Sequence, residues 1–141
     1  KHDREWFKNP DVKERRREYN LVKRQDPEYR QMRRVHHQKR RARKHSLPDT
    51  LMVADIQRMM EYWGDTCAVC GRPSGLWHYL AMDHWIPLSS PDCPGTVPTN
   101  MIPLCHARPG IPAGEPCCNN SKHDEDPEAW LIERFGKLKA K

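Results

Sequence analysis

The chain has 141 residues and a formal charge of +6, but that charge is unevenly divided: residues 1–45 hold 17 basic and 7 acidic side chains, whereas residues 46–141 hold 8 and 12. The first segment has 10 hydrophobic residues in 45, too few for a core of its own, and the second has 41 in 96, enough for a small one. No apolar run exceeds about four residues, which excludes a membrane-spanning helix.

The division predicts two parts, a basic helical nucleic-acid-binding arm over 1–45 and a folded body over 46–141. In the arm, Asn9-Pro10-Asp11 and Asp26-Pro27-Glu28 each read as a helix start: a capping side chain, proline in the first turn, then an acid near the positive end of the helix dipole. Tyr29, Met32 and Val35 form a thin apolar stripe that needs a surface to lie on. The arm ends in Lys39-Arg40-Arg41-Ala42-Arg43-Lys44. Together with Arg33 and Arg34, that run has the charge density of a phosphate-binding surface, because each phosphate neutralised releases counterions. A solvated tail or a nuclear-localisation signal has the same composition.

Ser46 to Pro48 reads as a hinge. Leu51, Met52, Ile56, Met59, Met60 and Trp63 then fall near one helix face, and Gly64 stops the helix. Eight prolines between Pro87 and Pro116 forbid a long helix there. Asp126-Pro127-Glu128 opens a last helix, with Trp130, Leu131 and Phe135 as packing residues and a lysine-rich end. The first residue is lysine, so the chain reads as a fragment of a longer one.

Four features follow Gly64 in order: the knuckle Cys67-x2-Cys70; the strand-like Leu80-Ala81-Met82-Asp83-His84-Trp85-Ile86-Pro87-Leu88; Asn100-Met101-Ile102-Pro103-Leu104-Cys105; and Cys118-Asn119-Asn120-Ser121-Lys122. The Cys-x2-Cys spacing suits tetrahedral zinc better than a disulfide framework. An imidazole that titrates near neutrality is a candidate general base, and a neighbouring carboxylate is a hard ligand for Mg²⁺.

In this order and with most of these spacings, Cys67 to Lys122 resembles the HNH endonuclease family in its zinc-stabilised form. The resemblance implies an α+β fold, a small treble-clef-like ββα-metal core. Its hairpin would start near Met82 and return near Asn100, with a helix from about Cys118. It further implies a structural zinc site made of four cysteines, Cys67, Cys70, Cys105 and Cys118. His84 becomes the general base, Asp83 and Asn119 the ligands of one catalytic Mg²⁺ or Mn²⁺, and Asn100 a residue that bridges the hairpin loop and orients the histidine. Lys122 is expected at phosphate. The activity implied is metal-dependent hydrolysis of DNA, leaving 5′-phosphate and 3′-hydroxyl ends, in an intracellular, cytoplasmic, phage- or mobile-element-like setting.

The chain departs from that pattern in two places. Twelve residues separate Cys105 from Cys118 where the family has two, so Cys117 and His106 compete as zinc ligands; His123 likewise competes with Asn119. Ser89 to Gly95 replaces a glycine pair and leaves Cys93 and Cys117 over, as free thiols or a local bridge. Two other functions stay open: a zinc-containing nucleic-acid-binding module without catalysis, and the nuclease subunit of a phage packaging or mobile-element complex. One active site cuts one strand, so double-strand breaks would take a homodimer, a partner protein or two visits.

Overall fold

The computed structural model describes residues 9–76, 78–108, 110 and 117–136. It is an α+β structure with five α-helices and one two-stranded antiparallel sheet among the described residues. Two compact units divide between His36 and His37, not at residue 45. The last basic turns, expected in the arm, belong to the second unit.

The first unit holds α1 (Pro10–Gln25) and the start of α2 (Pro27–Lys44). Both helices begin where the capping sequences place them. Asn9 Oδ1 accepts from the Asp11 amide at 2.9 Å, and Asp26 Oδ1 accepts from the Glu28 amide at 2.9 Å; such a cap contributes about 1 kcal/mol. α1 has no buried residue. Of the thin stripe, Val35 is buried, Tyr29 half-buried and Met32 exposed.

The second unit begins with the end of α2. That helix stops in a left-handed residue, Ser46 (φ 56°), with the Ser46 amide bonded to Arg43 O and the Leu47 amide to Ala42 O, both at 3.1 Å. This is the Schellman arrangement, built on serine where glycine is usual. α3 (Val53–Tyr62) starts later than the apolar pattern suggests. Leu51 is instead held by its amide to Thr96 O, and Met52 caps the helix from an exposed position, off the apolar face its spacing predicts. Asp55 closes that start by accepting from the Met52 amide at 2.8 Å.

β1 (His78–His84) pairs with β2 (Met101–Ala107), with Asp83 opposite Ile102 and His84 opposite Met101. The hairpin therefore starts four residues before Met82. Its return follows a 3₁₀ turn, Pro98–Asn100. α4 (Cys118–Lys122) packs on β2, and α5 (Pro127–Phe135) is capped by Asp126. The main core gathers Leu80, Leu104 and Trp130 around Cys67, Cys105, Cys117 and Cys118. A smaller cluster of Ala42, Leu88 and Cys93 fastens the end of α2 to the loop after β1. Most of the insert between Cys105 and Cys118, and the lysine-rich end, lie outside the described residues.

Candidate functional site

The knuckle forms because the chain turns back on itself. The Gly71 amide reaches Cys67 O at 2.8 Å, the Cys67 amide reaches Arg72 O at 2.9 Å, and Gly71 supplies the positive φ (70°) of the turn. The Ala68 amide bonds Pro103 O at 2.9 Å, which ties the knuckle to β2. The sulfurs of Cys67, Cys70, Cys105 and Cys118 consequently all lie within 4.8 Å of one another, and this group could hold a metal ion. Burial pushes the Cys105 thiol up to about 12, reinforced by Cys67 and Cys70, and burial raises Cys118 as well. A cation among the sulfurs reverses that preference, because the thiolate is the metal ligand.

The competition for the fourth position resolves in favour of Cys118. Cys117 points into the core next to the cluster but is not part of it. The His106 ring uses Nδ1 on Ala107 O (2.8 Å) and stacks on Tyr79. All six cysteines are free thiols, and Cys93 sits in the other cluster, so no Cys93–Cys117 bridge forms.

The second grouping is at the end of β1. His84 is the last strand residue and faces inward, 2 % exposed; Asp83, on the other strand face, keeps partial exposure. Asn100 clasps the loop that follows. Its Oδ1 accepts from the Ile86 amide (2.8 Å), and its Nδ2 donates to Ile86 O and Gly95 O, both at 3.0 Å. The Trp85 amide also bonds Asn100 O at 2.8 Å. Asn100 thus braces the backbone on both sides of the loop.

Lys122 is not at the surface where a phosphate contact requires it. Its side chain is fully enclosed, and Nζ donates to Asp83 Oδ2 at 3.2 Å and to His84 O at 2.9 Å. With Nζ committed to these two acceptors, Lys122 joins α4 to the end of β1 and does not face outward to phosphate. Asn119 lies three residues earlier, on the same helix face, and is half-buried. His123, its rival, is exposed in the left-handed cap of α4 (φ 46°).

Two residues unmarked by the sequence complete the surroundings of His84. Thr96, fully buried, places Oγ1 2.7 Å from His84 Nε2 and 3.2 Å from Gln38 O. Gln38, on α2, also donates from Nε2 to Met82 O at 2.9 Å. Thr96 is fixed by its backbone, with its amide on Pro48 O (2.8 Å) and its carbonyl on the Leu51 amide (3.1 Å). Gly95 makes this approach feasible: at φ 95° a Cβ there would lie 2.3 Å from Pro48 O. His84 Nδ1 is buried without a hydrogen-bond partner among the described residues. Burial, then the charges of Arg41 and Lys122, lower the His84 pKa to about 4, so the ring is neutral near pH 7.

The basic run borders this site. Arg40, Arg41, Arg43 and Lys44 are exposed and Lys39 half-buried on the last turns of α2, while Arg33 and Arg34 are exposed in the first unit. Arg43 is paired with Asp49, which offsets part of its charge. No helix among the described residues is long and apolar enough to cross a membrane. Compared with family models, curated proteins and solved structures, the chain has no significant match in any of the three.

Proposed function

We propose that the second unit is a metal-dependent endonuclease of the HNH type that hydrolyses DNA phosphodiester bonds. The observation that carries this reading is the buried imidazole of His84 with its Nδ1 unpartnered, one residue after Asp83, whose carboxylate lies on the other strand face. Leaving a buried polar atom unpaired costs about 1–3 kcal/mol, so such an atom calls for a reason, and general-base chemistry supplies one. The ordered motif from Cys67 to Lys122 supports the same reading.

Zinc suits the four-sulfur group. Tetrahedral Zn–S bonds of about 2.3 Å set sulfurs roughly 3.8 Å apart, and Cys70 and Cys105 stand at 3.7 Å. With all four positions taken by protein, this ion would be structural, clipping the knuckle to β2 and α4. Asp83 and Asn119 would hold the catalytic Mg²⁺ or Mn²⁺. One carboxylate and one amide form a sparse set, of the kind that substrate phosphate and water complete. When bound, the ion would supply Lewis-acid stabilisation of charge on the phosphate and the leaving oxygen.

The chain's own residues account for the rest of the reaction. His84 Nδ1 takes a proton from water, and the water oxygen forms a bond to phosphorus. The bond from phosphorus to the 3′ oxygen breaks, and that oxygen leaves with the bonding pair and takes a proton from solvent water, giving 5′-phosphate and 3′-hydroxyl ends. Asn100 and Lys122 hold the backbone that carries His84. Lys39, Arg40, Arg41 and Lys44 grip phosphates on either side, an interaction that weakens with salt.

The Lys122–Asp83 pair favours a second reading, in which the carboxylate is already satisfied and the unit binds nucleic acid without cutting. Supercoiled plasmid separates the two. Under the enzyme reading, omitting Mg²⁺ abolishes nicking while a gel shift persists. Binding without nicking in both Mg²⁺ and Mn²⁺ would support the binding module, and cleavage restored only by an added partner would support a subunit of a larger complex.

A further inference from the structure

We infer that Thr96, held by the main chain of Gln38, is a positioning residue that fixes the tautomer of His84, with the proton on Nε2 and the free lone pair on Nδ1. This inference rests on the nuclease reading for its consequence, though not for its geometry.

A threonine hydroxyl has one proton to give and two lone pairs to receive with. Gln38 O can only accept, so the 3.2 Å contact from Thr96 Oγ1 uses the hydroxyl proton. The 2.7 Å contact on the other side of Oγ1 must then be donated by the ring, and His84 Nε2 carries the hydrogen. In the opposite tautomer, Thr96 donates to Nε2, its contact with Gln38 O is lost as a hydrogen bond, and a hydrogen sits on Nδ1. That would be a buried donor with no acceptor, since Nδ1 has no partner among the described residues. The first arrangement makes two bonds and leaves one bare acceptor. The second makes one bond and leaves a bare donor. The hydrogen bond made at one ring nitrogen sets what the other can do, and here it leaves Nδ1 able to take a proton.

The inference also gives the end of α2 a role beyond charge. Gln38 lies 58 residues from Thr96 in sequence. Its side chain bonds Met82 O, two residues before His84, while its carbonyl receives the Thr96 proton. The same two turns that carry the basic run therefore set the orientation of the candidate base.

The test uses the full chain, loaded with zinc and labelled with ¹⁵N-histidine. Long-range ¹H–¹⁵N spectra at neutral pH read the tautomer of His84 directly, assigned by its loss in His84→Ala. The expected result is an unprotonated Nδ1 and a protonated Nε2. In Thr96→Val, which keeps the shape without the hydroxyl, the signal shifts toward the other tautomer, and Mg²⁺-dependent nicking slows about 10- to 100-fold at unchanged DNA affinity, by analogy with the partners that orient metal-bound histidines. Thr96→Ser restores both readouts. A protonated Nδ1 in the wild-type chain overturns the inference even if Thr96→Val fails to fold, as does a Thr96→Val protein with unaltered tautomer and rate. If the wild-type chain shows the expected tautomer but does not nick plasmid in Mg²⁺, the nuclease reading fails and the positioning geometry stands.

Discussion

Replacing Lys122 with methionine tests how the end of β1 is held. Methionine keeps an unbranched chain of similar length and removes only the ammonium, so little cavity opens. In the native structure that ammonium is fully enclosed and bonds both Asp83 Oδ2 and His84 O. Removing one member of an enclosed pair costs about 3–5 kcal/mol when the remaining charge is cut off from water. The Asp83 side chain retains 17 % exposure, so water recovers part of that cost and places the loss near the lower end, about 3 kcal/mol. The orphaned His84 carbonyl adds about 1 kcal/mol. A total near 4 kcal/mol is a large share of the roughly 5–15 kcal/mol typical of a small domain. Urea unfolding of the zinc-loaded protein, followed by tryptophan fluorescence, should show a lower midpoint with an unchanged slope. Adding Asp83→Asn removes the stranded charge and should recover a good part of the loss. A single-variant loss below about 1 kcal/mol, or a double variant as destabilised as the sum of its parts, would refute this reasoning.

Other outcomes follow from the same structure. With its folded pKa lowered to about 4 from 6.5, His84 binds a proton more readily unfolded than folded. Its contribution to stability is therefore complete above pH 6.5 and lost as pH falls toward 4. The loss amounts to about 3 kcal/mol, and without added Mg²⁺ the stability difference between wild type and His84→Asn measures it across that window. Cys118→Ser should release the metal and unfold at low denaturant, whereas Cys117→Ser should keep one zinc per chain, as read by metal analysis of the purified proteins. Gly95→Ala must place a Cβ against Pro48 O; the expected loss is about 3 kcal/mol, seen as a lowered thermal midpoint, and an unchanged midpoint would mean the loop yields.

Local chemistry made much of the fold legible. Asn9, Asp26 and Asp126 announce three helix starts because a capping side chain and a first-turn proline act over a few residues. The four clustered cysteines are readable as a set, and the Asn-x2-Lys that follows Cys118 distinguishes it from Cys117 in sequence. What could not be read depends on distant approach. Thr96 carries no motif, and its partner Gln38 sits in a helix whose composition signals only charge. Lys122 resembles any surface lysine in sequence, and only the packing of α4 on the hairpin encloses it. The start of α3 shifted for a similar reason, since Leu51 pairs its backbone with Thr96 and leaves the helix to begin after it.

The most direct measurement is single-turnover cleavage of end-labelled DNA in Mg²⁺, with wild type and His84→Ala compared at equal occupancy of the DNA. A general base at this position predicts a rate about 10²- to 10⁴-fold lower in the variant, with zinc content and DNA affinity unchanged. Equal rates would contradict the assignment of His84 as the base.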